Sequence, residues 1–223
     1  MRSEESATTS SRDEQLVQPE ESVAMPQELM EQMIDGMFST PVRRDASAEA
    51  DSPLAEIAHE FFTNNWNGFR DGLLERSNIM RVRPLQPVAP TTFYFEFDRP
   101  YKCHSPGSDS IEIKAGPIRG TIWYRPNLFE DPEQNYIAVQ VDPELHYFHP
   151  NCAARYGSMI CLGRLPAVPF PLPLDMLIEN HLYPILTYQN MAPTDSLNRD
   201  AAIYFALAAN PMEGLLPVPP LYE

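Results

Sequence analysis

The sequence contains no apolar run of the length that a membrane-spanning helix needs, about 18 residues. Its first five residues are polar and mostly acidic or basic, with no apolar segment behind them, so we expect no secretory signal peptide. Neither insertion into a membrane nor export is therefore expected. We expect a cytoplasmic protein.

Cysteine is scarce, and its number is odd. The three residues are Cys103, Cys152 and Cys161, and their spacing shows no pairs. A disulfide framework of the kind that holds small secreted domains together is therefore not expected. In a reducing compartment these thiols stay free and are available for chemistry.

An excess of basic residues is also missing, because the chain has a net charge of −15. Lys and Arg must neutralise phosphates for nonspecific nucleic-acid binding, so we expect no nucleic-acid partner and no docking on an anionic membrane. Much of the acidic charge lies in residues 1–52, which we expect to form a mostly disordered arm. A short amphipathic segment at 26–38 either packs on its own domain or binds a partner protein.

The remainder of the chain predicts an α+β domain over residues 53–209, followed by a Pro-rich, extended tail at 210–223. Apolar residues at helical spacing predict a helix over 53–74, with Pro53 in its first turn and a kink near 64–68. Further helices are predicted over 174–189, interrupted by Pro184, and over 197–209, capped by Asp195 or Ser196. Four segments predict the strands of an antiparallel meander: 92–97, 111–114, 121–124 and 136–141.

The most informative motif lies between the predicted strands and the later helices. The tripeptide His149-Pro150-Asn151 is followed, after a Gly-containing loop, by Ile160-Cys161-Leu162. This order resembles the ubiquitin-conjugating enzyme family, in which a His-Pro-Asn tripeptide precedes an Ile-Cys-Leu active-site cysteine. The segment 194–202 is similar to the Asp-Asp-Pro-Leu-like step that opens a later helix in that family.

The likeness extends over about residues 53–209, with departures. The loop between Asn151 and Cys161 is longer than usual, Gly163 stands where an acidic residue is common, and the usual tryptophan beyond the cysteine is missing. These differences indicate a divergent, prokaryotic branch. The resemblance implies an N-terminal helix, a four-stranded antiparallel meander, an active-site loop and C-terminal helices.

The resemblance also implies a function. Cys161 would carry a ubiquitin-like modifier as a thioester, accepted from an adenylating activating enzyme and passed to a lysine of a target protein. Asn151 would donate a hydrogen bond to the tetrahedral oxyanion, His149 would hold the loop, and Asp195 would position and deprotonate the incoming amine. No cofactor and no metal are implied.

Simpler interpretations of the same residues remain open. Cys103 and Cys152 are expected to be small buried apolar residues, Asn151 can be only a turn former, and Asp195 can be only a helix cap. A zinc site is not expected, because no cysteine or histidine pair has the compact spacing of structural zinc ligands.

Two other functions compete with conjugation. One is a non-catalytic scaffold of the same fold that binds a ubiquitin-like protein. The other is a cysteine hydrolase in which Cys161 acts with His59, His146 or His181, although no protease-type signature surrounds the cysteine.

Overall fold

A computed structural model describes residues 53–221, apart from short gaps at 75–79, 106, 109, 126–127, 130–135, 154–156, 164, 167–170, 192–195 and 219–220. The predicted acidic arm at 1–52, with its amphipathic segment at 26–38, lies outside the described residues and stays a prediction. Asp195 lies outside them as well.

The described chain confirms the α+β class. The helical elements are α1 (Pro53–Phe69), a π-helical turn (Arg70–Leu74), a 3₁₀ turn (Pro143–Leu145), α2 (Leu174–Leu177), a second π-helical turn (Ile178–Leu182), α3 (Tyr183–Leu186) and α4 (Arg199–Leu207). The strands are β1 (Met80–Pro84), β2 (Thr92–Phe97), β3 (Tyr101–His104), β4 (Ile111–Lys114), β5 (Ile118–Tyr124), β6 (Ile137–Val141), β7 (Cys152–Ala153) and β8 (Met159–Ile160). In the described part of the chain, no helix combines the length and the apolar character that crossing a bilayer requires.

The strands form two sheets instead of the predicted single meander of four. Six strands pair in the order β1-β2-β5-β6-β8-β7, and every pair is antiparallel. The strand predicted at 111–114 forms, but it pairs with β3 in a separate hairpin between β2 and β5. The prediction counted β4 into the main sheet and missed β1, which takes the place beside β2.

Alternation along the strands explains which sheet face is buried. In β2 the rings of Phe93, Phe95 and Phe97 point inward, while the residues between them are partly exposed. Strand β1 follows the same alternation with Met80 and Val82 buried. Its outward arginines and terminal proline resemble a loop in the sequence, and they are tolerated because β1 is an edge strand.

Gly120 shows how closely β5 packs between its neighbours. A Cβ atom at this position would lie 2.7 Å from the ring of Phe95 and would overlap the carbonyl oxygen of Gln140. The residue therefore belongs to the strand interior, although it precedes the segment 121–124 that the sequence predicts as a strand.

We expect Gly120→Ala to lower the free energy of unfolding by about 1–3 kcal/mol, since overpacking a tight site costs that much. Urea denaturation of the full chain measures it. The matched control is Gly68→Ala on α1, where an added Cβ meets no atom within 4 Å. A Gly120→Ala chain that unfolds at the wild-type midpoint would contradict this packing.

Helix α1 packs on the buried face of the sheet through Phe62 and Phe69. The polar stretch at 64–68, which predicted a kink, is part of the continuous helix. Its residue Asn65 is buried, and the Oδ1 atom accepts a hydrogen bond of 2.6 Å from the N–H of Leu174. This contact satisfies a free N–H group at the start of α2 and connects the first helix to the later ones.

The predicted interruption at Pro184 does not separate α2 from α3. The two join through the second π-helical turn, in which the Tyr183 N–H donates to the carbonyl oxygen of Ile178. Pro184 has no N–H to donate, and it stands directly after the π-helical turn, in the first turn of α3. One face of the joined helix is fully buried, through Leu174, Leu177, Ile178, Leu182 and Ile185.

Helix α4 is capped by a residue that the prediction passed over. The side chain of Asn198 accepts a hydrogen bond of 3.1 Å from the Ala201 N–H. Asn198 therefore takes the capping role that was assigned to Asp195 or Ser196. After α4, residues 211–214 form a turn, so the first part of the tail is not extended.

Candidate functional site

The His149-Pro150-Asn151 segment forms a tight turn that leads into a short hairpin. The Cys152 N–H donates to the His149 carbonyl oxygen at 3.0 Å, which sets Pro150 at the second turn position, where its fixed backbone angle is favoured. Strands β7 and β8 then pair with Cys152 opposite Ile160. The loop between Asn151 and Cys161 is therefore a hairpin attached to the edge of the main sheet.

This hairpin brings Asn151 beside Cys161. The Cys161 N–H donates to the Asn151 carbonyl oxygen at 2.8 Å. The strand register, continued by one pair, sets the two residues opposite each other. Opposed residues in antiparallel strands typically have their Cβ atoms about 5 Å apart.

Burial distinguishes the three cysteines from one another. Cys103 and Cys152 are buried, whereas Cys161 is partly exposed. Loss of hydration raises the pKa of the Cys152 thiol to about 12, although Ser158 opposes the rise through a hydrogen bond. The pKa of Cys103 is also raised, mainly by burial. Cys161 is therefore the most exposed of the three cysteines and the candidate for reaction with a partner.

His149 is fully buried and holds the turn from inside. Its Nδ1 atom accepts a hydrogen bond of 3.0 Å from the Asn151 N–H, so the ring proton of the neutral imidazole lies on Nε2. The ring stacks on Tyr147 with centroids 5.8 Å apart and meets Tyr188 at 5.1 Å. Burial lowers the pKa of His149 to about 3. A histidine that stays neutral in this way is suited to orient the loop, and not to transfer protons.

The buried His149 predicts a loss of stability in mild acid. Its native pKa of about 3 lies below the value of about 6.5 in the unfolded chain, so the unfolded chain takes up a proton first as the pH falls. The stability is complete above the unfolded pKa and falls by about 1.4 kcal/mol per pH unit below it, until the native pKa is reached. Urea denaturation at several pH values measures this slope.

The matched variants are His149→Gln, which removes the titrating ring, and His59→Gln, which changes an exposed histidine on α1. We expect the stability difference between His149→Gln and wild type to shrink as the pH falls. Identical pH dependence in the two chains would contradict the burial of His149.

Asn151 is held by its backbone on both sides, and 6% of its surface is exposed. Its Oδ1 atom is buried and has no hydrogen-bond partner among the residues that the structure describes. Buried polar atoms without a partner are uncommon in folded proteins, and the Nε2 atom of His149 is a second one in the same turn. The Asn198 N–H also donates to the carbonyl oxygen of Pro150 at 3.0 Å, so the start of α4 helps to hold the turn.

The chain after the cysteine is held by a histidine of the second π-helical turn. The Nδ1 atom of His181 lies 3.0 Å from the carbonyl oxygen of Leu162, the residue that follows Cys161. A carbonyl only accepts, so the ring nitrogen donates. The side chain of Leu162 is buried, and the exposed Gly163 follows with a φ of 76°, a conformation that favours glycine.

The contacts of the histidines bear on the hydrolase alternative. Throughout the described ranges, no hydrogen bond joins a histidine to the sulfur of Cys161. His59 and His146 are exposed, and His181 contacts a backbone oxygen. A nucleophilic cysteine in a hydrolase needs a base within hydrogen-bond reach, so the geometry does not favour this alternative.

The structure therefore brings together three of the four predicted site residues: His149, Asn151 and Cys161. The fourth, Asp195, lies outside the described residues, so its role stays a prediction. Within the described portion of the chain, no three Cys, His, Asp or Glu side chains cluster in a way that could hold a metal ion.

Comparison of the chain with protein-family models and with curated proteins finds no match. The resemblance to ubiquitin-conjugating enzymes therefore stays a prediction that depends on the residues and contacts described above.

Proposed function

We propose that the protein is a cytoplasmic ubiquitin-like-protein conjugating enzyme, which carries its modifier as a thioester on Cys161. The observation that carries the proposal is the pairing of a partly exposed cysteine with the asparagine of a His-Pro-Asn turn. The partners would be a ubiquitin-like modifier, an adenylating activating enzyme and a lysine of a target protein.

Loading requires little help from the protein. The thiolate of Cys161 attacks the carbonyl carbon of an existing thioester, a new S–C bond forms, and the thiolate of the activating enzyme leaves. Exchange between two thioesters needs no strong base beside the sulfur, because the group that leaves is itself a thiolate. The absence of a histidine bonded to this sulfur in the described residues is therefore compatible with loading.

Discharge is the step that requires stabilisation. A neutral lysine amine attacks the thioester carbonyl and a tetrahedral oxyanion forms. The C–S bond then breaks to release the Cys161 thiolate, and the nitrogen gives its remaining extra proton to solvent, which leaves an amide. The Nδ2 group of Asn151 is the donor that we assign to this oxyanion. His149 fixes the donor through the Asn151 backbone, and Asp195 is assigned to the incoming amine.

The fold also supports the proposal. Strands β1, β2, β5 and β6 are neighbours in the main sheet, with antiparallel pairing. Along the chain they follow α1 and precede α2, α3 and α4. We propose that they correspond to the four-stranded meander of the ubiquitin-conjugating fold, with the β3–β4 hairpin as an insertion.

A synthetic peptide ending in Gly, supplied as a thioester, tests the proposal without the natural modifier. It is exchanged onto the protein, excess peptide is removed, and its discharge to free lysine is followed by intact mass. The chain has two lysines, of which Lys102 is buried and Lys114 is exposed, so Lys114→Arg is used as the background to limit transfer within the chain.

We expect the peptide to be carried by Cys161 and to pass to lysine faster than it passes to water. The burial of the Asn151 amide favours the alternative of a non-catalytic scaffold, in which the amide is structural. The reference is the same peptide as the thioester of a small thiol. If the peptide on Cys161 passes to lysine no faster than it does from that reference, the result would support the scaffold and refute the enzyme.

A further inference from the structure

The segment around Cys161 is held by a hydrogen bond on each side. On the N-terminal side, the Cys161 N–H donates to the Asn151 carbonyl oxygen at 2.8 Å. On the C-terminal side, the carbonyl oxygen of the following residue, Leu162, accepts a hydrogen bond of 3.0 Å from His181. The first contact comes from the His-Pro-Asn turn, and the second comes from the buried helix.

His181 stands on a special part of that helix. Residues Ile178–Leu182 form a π-helical turn, and such turns occur frequently at functional sites because they re-aim side chains. The turn is anchored by Ile178 and Leu182, both with no exposed surface. His181 itself is half-buried, so its ring is directed from a rigid element toward the backbone that carries the cysteine.

We propose that His181 is a positioning residue for Cys161, which acts by donating its Nδ1 proton to the Leu162 carbonyl oxygen. The inference rests on the proposed function for its catalytic consequence. Without the donor, the Leu162 carbonyl loses its partner and the segment from Cys161 to Gly163 is held on one side only. The thiol then becomes easier to reach from solvent but less well aligned with Asn151.

This reasoning gives two opposite expected effects for His181→Ala. The rate of Cys161 alkylation by iodoacetamide rises by about threefold or more, because local opening exposes the thiol. Discharge of the peptide thioester to lysine falls by about tenfold or more, because small misalignments of reacting groups are costly in rate. Cys103 and Cys152 are buried and do not contribute to the alkylation.

The conservative variant separates positioning from general packing. In His181→Asn the side-chain amide can donate near the place of Nδ1, so both rates should return toward wild type. Asn180→Ala changes an exposed residue of the same turn and should alter neither rate. A His181→Ala chain with wild-type rates, or a His181→Asn chain as impaired as His181→Ala, would overturn the inference.

Two measurements keep this test independent of the enzyme assignment. Alkylation needs no thioester, so it reports on His181 even if the chain transfers nothing to lysine. At a pH where the ring is neutral, the ¹⁵N spectrum of the wild-type chain should place the ring proton of His181 on Nδ1. A neutral ring protonated only on Nε2 would overturn the inference, and this result does not require His181→Ala to fold.

Discussion

Replacing Cys161 with serine is expected to convert the reductant-sensitive adduct into a reductant-resistant ester or to abolish loading. Replacing it with alanine should remove the adduct completely. The physical reason is that Cys161 is partly exposed while Cys103 and Cys152 are buried, with raised thiol pKa values. Intact-mass measurement with and without a reductant, after incubation with the peptide thioester, distinguishes the three outcomes.

The matched controls are Cys103→Ala and Cys152→Ala, which leave Cys161 in place. Each variant that folds should still form the adduct. An adduct that persists unchanged in Cys161→Ala would show that another group carries the peptide, and the assignment of Cys161 would be refuted.

Replacing Asn151 with alanine should slow discharge to lysine by about 10²–10³-fold, which is the usual loss when one oxyanion donor is removed. Loading should change less, because its nucleophile is a thiolate and not a neutral amine, although that exchange also passes through a tetrahedral oxyanion. The backbone contacts of Asn151 with His149 and Cys161 do not involve its side chain, so the turn itself should persist. Single-turnover decay of the loaded chain measures the effect.

Asn198→Ala is the control for this experiment. It removes the side-chain cap of α4, which costs about 1 kcal/mol of stability, and it keeps both the Asn151 amide and the backbone N–H of residue 198 that donates to the Pro150 carbonyl oxygen. We expect this variant to be less stable but to discharge at the wild-type rate. Equal discharge by Asn151→Ala and wild type would mean that the amide is structural, as the scaffold alternative requires.

The sequence predicted the strands whose alternation of apolar and polar residues is complete within one short segment. The strands at 92–97 and 111–114 formed with the predicted bounds. Strand β5 begins at Ile118, earlier than the predicted residue 121, and Gly120 lies in its interior against Phe95. Strand β1 was missed, since Pro84 and its alternating arginines are allowed only at a sheet edge, and edge position is a tertiary property.

Pairing between strands and the path of the later helix depend on contacts distant in sequence. The separate β3–β4 hairpin could not be inferred from the pattern of β4 alone. Pro184 indicated an interruption, but the π-helical turn before it lets the helix continue. The cap at Asn198 was missed because Asp195 and Ser196 are equally good capping types and precede the predicted start at residue 197, whereas Asn198 follows it.

The candidate site was predictable as far as its residues adjoin one another in sequence. The His-Pro-Asn tripeptide and Cys161 mark the two ends of the β7–β8 hairpin. The sequence offers His181 only as a possible base in a hydrolase, because no sequence pattern indicates that its ring reaches the Leu162 carbonyl oxygen. The burial of His149 and the contact between Asn198 and Pro150 are likewise properties of the packed chain.

Mapping the acylated residue tests the account most directly. The wild-type chain is loaded with the peptide thioester, digested without reductant and sequenced by tandem mass spectrometry. We predict that the acyl group is found on the sulfur of Cys161 and disappears when lysine is added before digestion. A Cys161 that remains free, while the acyl group resides elsewhere or stays in place in the presence of lysine, would contradict the account.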